Sequence, residues 1–288
     1  MYRKLFLPLL AIFSLFFILP ANAFGISPVK MLVTADSNNS QTVNLSIFNS
    51  ENKEIQFNLG VLGVQQDNDG HPVFGRGITE AESWVMPENN TVLVKAKQTQ
   101  KANFIIHVPE KTQPGSYYVG LFAEPTLGSN GRSGVNPRII SLVTVQVAGE
   151  VYEDMIISGW NAKNTIFTDK NWDFNLNLKN SGPVEVLLKG FLSVENWKGE
   201  EIFTQEAFLG NKLIAGSMRH LTPVISAENK IIWPGLYHAQ VRIIYGLTNQ
   251  KAISTVYIWY LPIWSMVVLG IFIFSIFFTV FTLRKRRK

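Results

Sequence analysis

From Ala252 to Leu283 the chain carries no charged residue, and five cations follow at once: Arg284, Lys285, Arg286, Arg287 and Lys288. The stretch Leu261 to Leu283 is 23 residues long. At about 1.5 Å per helical residue it covers a hydrocarbon layer of roughly 30 Å with some tilt. A helix this long, with Phe or Ile on every face, does not suit the core of a small domain. Tyr257, Trp259, Tyr260 and Trp264 gather at its start, as an interfacial aromatic belt does. Pro262 falls where a first-turn proline gives up no helical hydrogen bond. Residues 258–283 are therefore predicted to cross a membrane. The basic residues 284–288 are expected to stay on the cytoplasmic side, because five cations resist translocation.

The amino end reads as a secretory signal. Arg3 and Lys4 precede an apolar run from Leu5 to Leu19, Pro20 breaks the run, and Ala21-Asn22-Ala23 fits a small-x-small cleavage pattern. Residues 1–23 would be removed between Ala23 and Phe24; a retained amino-terminal helix is the alternative. The two ends together place residues 24–257 outside the cytoplasm, so the expected localisation is a cell membrane crossed once. They also account for the basic charge. Of 26 Lys and Arg residues, seven lie in these segments, leaving 19 against 21 Asp and Glu in the rest. A folded part with that balance lacks the clustered basic face of a nucleic-acid binder. Cysteine is absent, which excludes disulfide scaffolds, thiolate metal sites and cysteine nucleophiles. An exported chain without cysteine suggests a bacterial or archaeal surface.

Between the ends, period-two alternation dominates. Thr42 to Ile47 alternates, and so does Asp173 to Leu178. Turn signals such as Asp69-Gly70, Pro114-Gly115, Lys198-Gly199 and Pro234-Gly235 separate the runs. Strands at this spacing, with almost no helical period, predict β-sandwiches. Two motifs recur in the same order. Asn44-Leu45-Ser46-Ile47-Phe48-Asn49-Ser50 parallels Asn175-Leu176-Asn177-Leu178-Lys179-Asn180-Ser181, and Pro114-Gly115-Ser116-Tyr117 parallels Pro234-Gly235-Leu236-Tyr237. Each Tyr is placed to return its hydroxyl to the preceding turn, as in a tyrosine corner. The fold expected is all-β: two tandem immunoglobulin-like sandwiches, residues 24–148 and 149–257, followed by a single transmembrane helix.

The chain offers little chemistry. His71, His107, His220 and His238 are too scattered for a metal motif, and no nucleophile elbow or carboxylate pair stands out. No enzyme activity, cofactor or metal is expected. Asp67-Asn68-Asp69-Gly70 has hard oxygen ligands but lacks the Glu that completes a calcium loop, and Asp-Gly between strands is a standard hairpin turn. Arg132, in the Gly-rich stretch Gly128 to Gly134, and Arg138 are the candidate ligand-binding residues, for an anionic glycan or a carboxylate. Trp84, Trp160, Trp172, Trp197 and Trp233 are capable of stacking on sugars but read as core or turn-packing residues.

The plan of signal, paired β-domains, carboxyl-terminal span and basic tail resembles the WxL-interacting proteins of bacterial surfaces. Ile26-Ser27-Pro28-Val29, Pro114-Gly115-Ser116-Tyr117, Leu178-Lys179-Asn180-Ser181-Gly182 and Gly216-Ser217-Met218-Arg219 carry the likeness. It implies a first domain that binds peptidoglycan and a second that binds a host. The first domain also resembles, more distantly, that of periplasmic pilus chaperones. The function expected is binding or scaffolding at the membrane, with cell-wall glycan or a surface or secreted protein as partner and lipid around the anchor. Chaperoning of secreted β-proteins is the alternative, and an exported hydrolase a remote one. Edge strands are the default docking elements.

Overall fold

A computed structural model describes residues 24–126, 137–226, 231 and 233–286. Alternation along each segment produces strands with one buried face, and these close into two sandwiches. In the first, one sheet runs β1 (Phe24–Ser27), β3 (Ser40–Asn49), β8 (Thr99–His107), β6 (Val85–Pro87). The facing sheet runs β2 (Lys30–Ala35), β10 (Ile139–Val147), β9 (Gly115–Pro125), β4 (Ile55–Gln66), β5 (Pro72–Gly75), with β7 (Thr91–Val94) also paired to β4. Leu45, Ile47, Phe57, Phe104, Ile106, Val119, Leu121, Val143 and Val145 fill the space between them. Burying each such side chain contributes about 1.5–3 kcal/mol.

The second sandwich repeats the plan. One sheet contains β11 (Met155–Ala162), β13 (Asn171–Asn180) and β16 (Met218–Leu221), with β17 (Val224–Ser226) on β13. The other runs β12 (Ile166–Phe167), β19 (Gln250–Tyr260), β18 (Gly235–Tyr245), β14 (Val186–Asn196), β15 (Glu201–Leu213). Trp160 stacks on Phe174 with ring centres 4.6 Å apart, and its indole N–H donates to the Ala239 carbonyl at 2.9 Å. The two cores share no residue.

Both recurring motifs take equivalent places. Asn49 and Asn180 end the third strand of each sandwich, and both are buried. Asn49 Nδ2 donates to the Lys53 and Val94 carbonyls; Asn180 Nδ2 donates to those of Val184 and Leu213. The Tyr117 hydroxyl donates to the Gln113 carbonyl at 2.9 Å, and the Tyr237 hydroxyl to that of Trp233 at 2.8 Å. In each sandwich the leading segment divides between the sheets, pairing first antiparallel to the third strand and then parallel to the last. The parallel part differs in extent. β2 lies along Leu142 to Val147 of β10, whereas β12 reaches only Trp259 and Tyr260 of β19.

β19 continues three residues past the boundary expected at 257, because its alternation continues. Tyr260 is 3% exposed and packs on Trp172 at 5.6 Å, so it belongs to the core and not to an interfacial belt. After Leu261-Pro262 the chain enters helix α1 (Ile263–Arg286), the one described helix long and apolar enough to span a membrane; its apolar stretch has no buried part. Arg284 and Lys285 are exposed on its last turn, and Arg287 and Lys288 lie outside the described residues. Ala23 also lies outside them. Phe24 opens β1, its ring 5.3 Å from that of Phe57.

Candidate functional site: the cleft between the sandwiches

Strand β9 is buried on both faces. Tyr117, Val119, Leu121 and Ala123 point into the first core. Tyr118, Gly120 and Phe122 point outward and are buried too. Their cross-strand partners on β10 are Thr144, Leu142 and Ile140; on β4, Leu62 sits opposite Gly120 and is likewise buried. The outward face of this sheet is therefore a second apolar surface. The Phe122 end is roofed by the Arg138 guanidinium, 4.3 Å from the ring centre. The Tyr118 end opens into a cleft against the second sandwich.

That cleft encloses about 660 Å³. Lys30, Met31 and Leu32 of β2, Val64 of β4, Tyr118 of β9 and Leu142 of β10 form one wall; Glu185, Lys212, Ile214 and Arg219 form the other. A second hollow of about 820 Å³ shares Ser116, Gln146, Glu185 and Lys212 with it and continues to Tyr152, Leu187 and Leu247. Two polar atoms in the cleft lack partners. The Tyr118 side chain is 7% exposed; its hydroxyl lies near Ser116 and the Ala215 backbone without completing a hydrogen bond. Arg219 Nε is buried and unpaired as well. Burial raises the Tyr118 pKa, with the Glu185 charge adding to it, so the hydroxyl remains a neutral donor. Each buried polar group left unpaired costs about 1–3 kcal/mol, which an acceptor oxygen supplied by a ligand would recover. Lys212 is neutralised by Glu185 at 2.5 Å. Lys30, on the exposed edge strand β2, forms no ion pair among the described residues.

Side-chain and backbone bonds hold the cleft at this width. Gln66 Oε1 accepts from the Ser217 hydroxyl at 3.0 Å and from the Ile214 N–H at 3.3 Å, and Gln66 Nε2 donates to the Lys212 carbonyl at 3.3 Å. The His220 N–H donates to the Asn68 carbonyl at 2.6 Å, and the Ser116 N–H to that of Pro183 at 2.8 Å. Asp67-Asn68-Asp69-Gly70 is thus the predicted hairpin turn, and it also latches the two sandwiches. Gly70 has φ +90° and the Arg219 guanidinium lies against it, so a side chain there would be both strained and obstructed. Asp67 Oδ1 accepts the His71 and Asp69 N–H groups; the His71 amide is the main reason its pKa falls below the usual value. Asp67, Asp69 and His71 bring ligand atoms within 4.8 Å of one another and are the described group with the donors to hold a metal.

The sequence candidates fall elsewhere. Arg138 lies outside the cleft, occupied by Glu124 at 2.7 Å and by the Phe122 ring. Arg132 lies outside the described residues. His107 meets the Ser40 hydroxyl, His220 the Asn177 side chain and His238 the Tyr257 ring. Trp84, Trp160 and Trp172 are buried, whereas Trp197 and Trp233 are exposed. Sequence reasoning missed Tyr118 and Arg219. The only local signal was the unbroken buried-type run Tyr117 to Ala123, too long without a polar residue for a strand with one wet face.

No family model and no curated protein matches the chain. Solved structures with a similar fold include the chaperone–tip adhesin complex of CFA/I fimbriae (TM-score 0.47, 9% identity, 83% of this chain and 99% of that one). The class 5 fimbriae chaperone CfaA gives TM-score 0.46 at 9% identity over 84% of this chain and 100% of that one. The CsuC–CsuE chaperone–tip adhesion subunit complex of Acinetobacter baumannii gives 0.42 at 12% identity, over 83% and 100%.

Proposed function

We propose that this chain is a membrane-anchored, chaperone-like binding protein. Its ectodomain faces away from the cytoplasm and takes an extended segment of another exported protein into the cleft between its sandwiches. The supporting observation is the cleft itself: an apolar floor beside an open edge strand, with two buried donors lacking acceptors. An extended peptide meets all three features at once. Its carbonyl oxygens take the Tyr118 hydroxyl and Arg219 Nε, its backbone pairs with β2, and alternate side chains lie on Val64 and Leu142. A sugar-binding reading has less support, because no exposed indole lines the cleft. The membrane anchor rests on α1, and its orientation on the basic residues that follow.

Photo-crosslinking in intact cells tests this reading. A benzophenone side chain at Thr144, inside the cleft, should capture one exported protein that a probe at Leu93, exposed opposite Gln56 at the other end of β4 from the cleft, does not. Arg219→Glu should abolish the capture. Equal capture from both positions, or retention of the full-length chain on purified peptidoglycan regardless of Arg219, would overturn the proposal.

A further inference from the structure

Every exposed tryptophan among the described residues lies at one end of the molecule. Trp84, Trp160 and Trp172 are buried in the sandwiches. Trp197, Trp233, Trp259 and Trp264 are exposed, at 69%, 71%, 46% and 44%. Strand register explains how four residues distant in sequence become neighbours. Asn196 of β14 pairs with Tyr237 of β18, and Tyr237 pairs with Ile258 of β19. Trp197 follows Asn196 directly, at the tip of the β14–β15 hairpin. Trp233 precedes β18 and meets Trp264 edge to face at 6.1 Å. Trp259 is in the last two residues of β19, beside the exposed Ile166 of β12. Three adjacent strands span only about 10 Å. The indoles therefore ring the point where the chain leaves the second sandwich and enters α1.

We infer that this end of the second sandwich is itself a lipid-contacting surface, seated at the headgroup level of the bilayer that α1 crosses. The inference rests on the reading of α1 as a membrane span, and adds that the domain docks on the bilayer instead of swinging above it. Continuity identifies the occupant. Only Leu261 and Pro262 separate β19 from α1, so the domain end cannot stand far from the bilayer surface. The residue type agrees, since an indole has an apolar body and one N–H donor and suits the boundary between hydrocarbon and water. Lys198, 5.2 Å from the Trp197 ring centre, adds a cation for lipid phosphate. Asp169, Lys170 and Glu200 at the same end remain in the hydrated headgroup layer, which accepts both signs of charge.

The cysteine-free chain permits a direct test. Full-length protein carrying Lys198→Cys, Phe274→Cys or Leu93→Cys is spin-labelled and reconstituted in phosphatidylcholine–phosphatidylglycerol vesicles. Collisional accessibility to oxygen and to a nickel chelate then gives the depth of each label. The label at 274 should lie deep and that at 93 in water. The label at 198 should show an oxygen-to-nickel ratio several-fold above that at 93, and should lose it when Trp197 and Trp233 are both changed to Ser. A deep label at 274 with a fully aqueous label at 198 would overturn the docking while leaving the span intact. An aqueous label at 274 would overturn both.

Discussion

Asn180 is uncharged and does not itself line the cleft, yet it governs how the second sandwich closes. Its side-chain amide satisfies the Val184 and Leu213 carbonyls, and its Oδ1 accepts the Gly182 N–H at 3.0 Å. All of this happens out of reach of water. Asn180→Ala strands those groups without admitting solvent, so the loss should be roughly 3 kcal/mol. Calorimetry should show the melting transition of the second sandwich falling by about 10–15 °C. A shift of only a degree or two would mean that the turn re-forms around the smaller residue. Asn49 does the same work in the first sandwich, which is why its motif recurs so closely. Here a side-chain role was legible in the sequence, because the motif carries its own turn with it.

At the scale of elements, the linker between sandwiches is pinned to the β18–β19 turn by one carboxylate. Glu153 accepts from the Leu247 N–H at 2.7 Å and from the Thr248 hydroxyl at 2.6 Å and N–H at 3.2 Å. Partial burial pushes its pKa up, but these hydrogen bonds more than offset the burial and hold it below the usual value of 4.5. A depressed folded-state pKa stabilises the fold above the unfolded-state value, and that contribution is lost as pH falls through the folded one. Glu153→Gln should therefore cost about 1 kcal/mol at neutral pH. The gap to wild type should close on acidification through and below 4.5. Chemical denaturation across that range measures it; a gap independent of pH would assign the effect to shape instead of charge. The sequence showed no trace of this contact, since Glu153 and Thr248 are far apart along the chain and neither belongs to a motif.

The whole molecule depends on a few bonds that fix one sandwich against the other. Gln66 makes three of them, to Lys212, Ile214 and Ser217. Gln66→Ala should leave each core intact and loosen the angle between them. Spin labels at Leu93 and Ile156, one in each sandwich, should report a distance distribution broadened by several ångström, with melting changed by no more than about 1 kcal/mol. An unchanged distribution would place the rigidity in the Asn68–His220 and Ser116–Pro183 contacts alone. A loosened cleft should also bind an extended segment less well, because its two walls would no longer be held at one spacing.

The sequence by itself determined the strand-built character of each half, its recurring turns and the final helix; which strand pairs with which came only from the structure. Alternation selects strands, the Asn and Tyr motifs close their own turns, and an uncharged run of lipid-spanning length admits only a helix. All of these are local, so short stretches specify them. Only the tertiary structure decided what lies between and beside those elements. Outward-facing apolar residues on β9 are indistinguishable in sequence from inward-facing ones until the neighbouring sheet is in place. The Asp67–Gly70 turn reads as an ordinary hairpin until His220 and Arg219 arrive against it. Trp197, Trp233 and Trp259 reach one end of the second sandwich only because strand register carries their positions there, beside Trp264 at the start of α1.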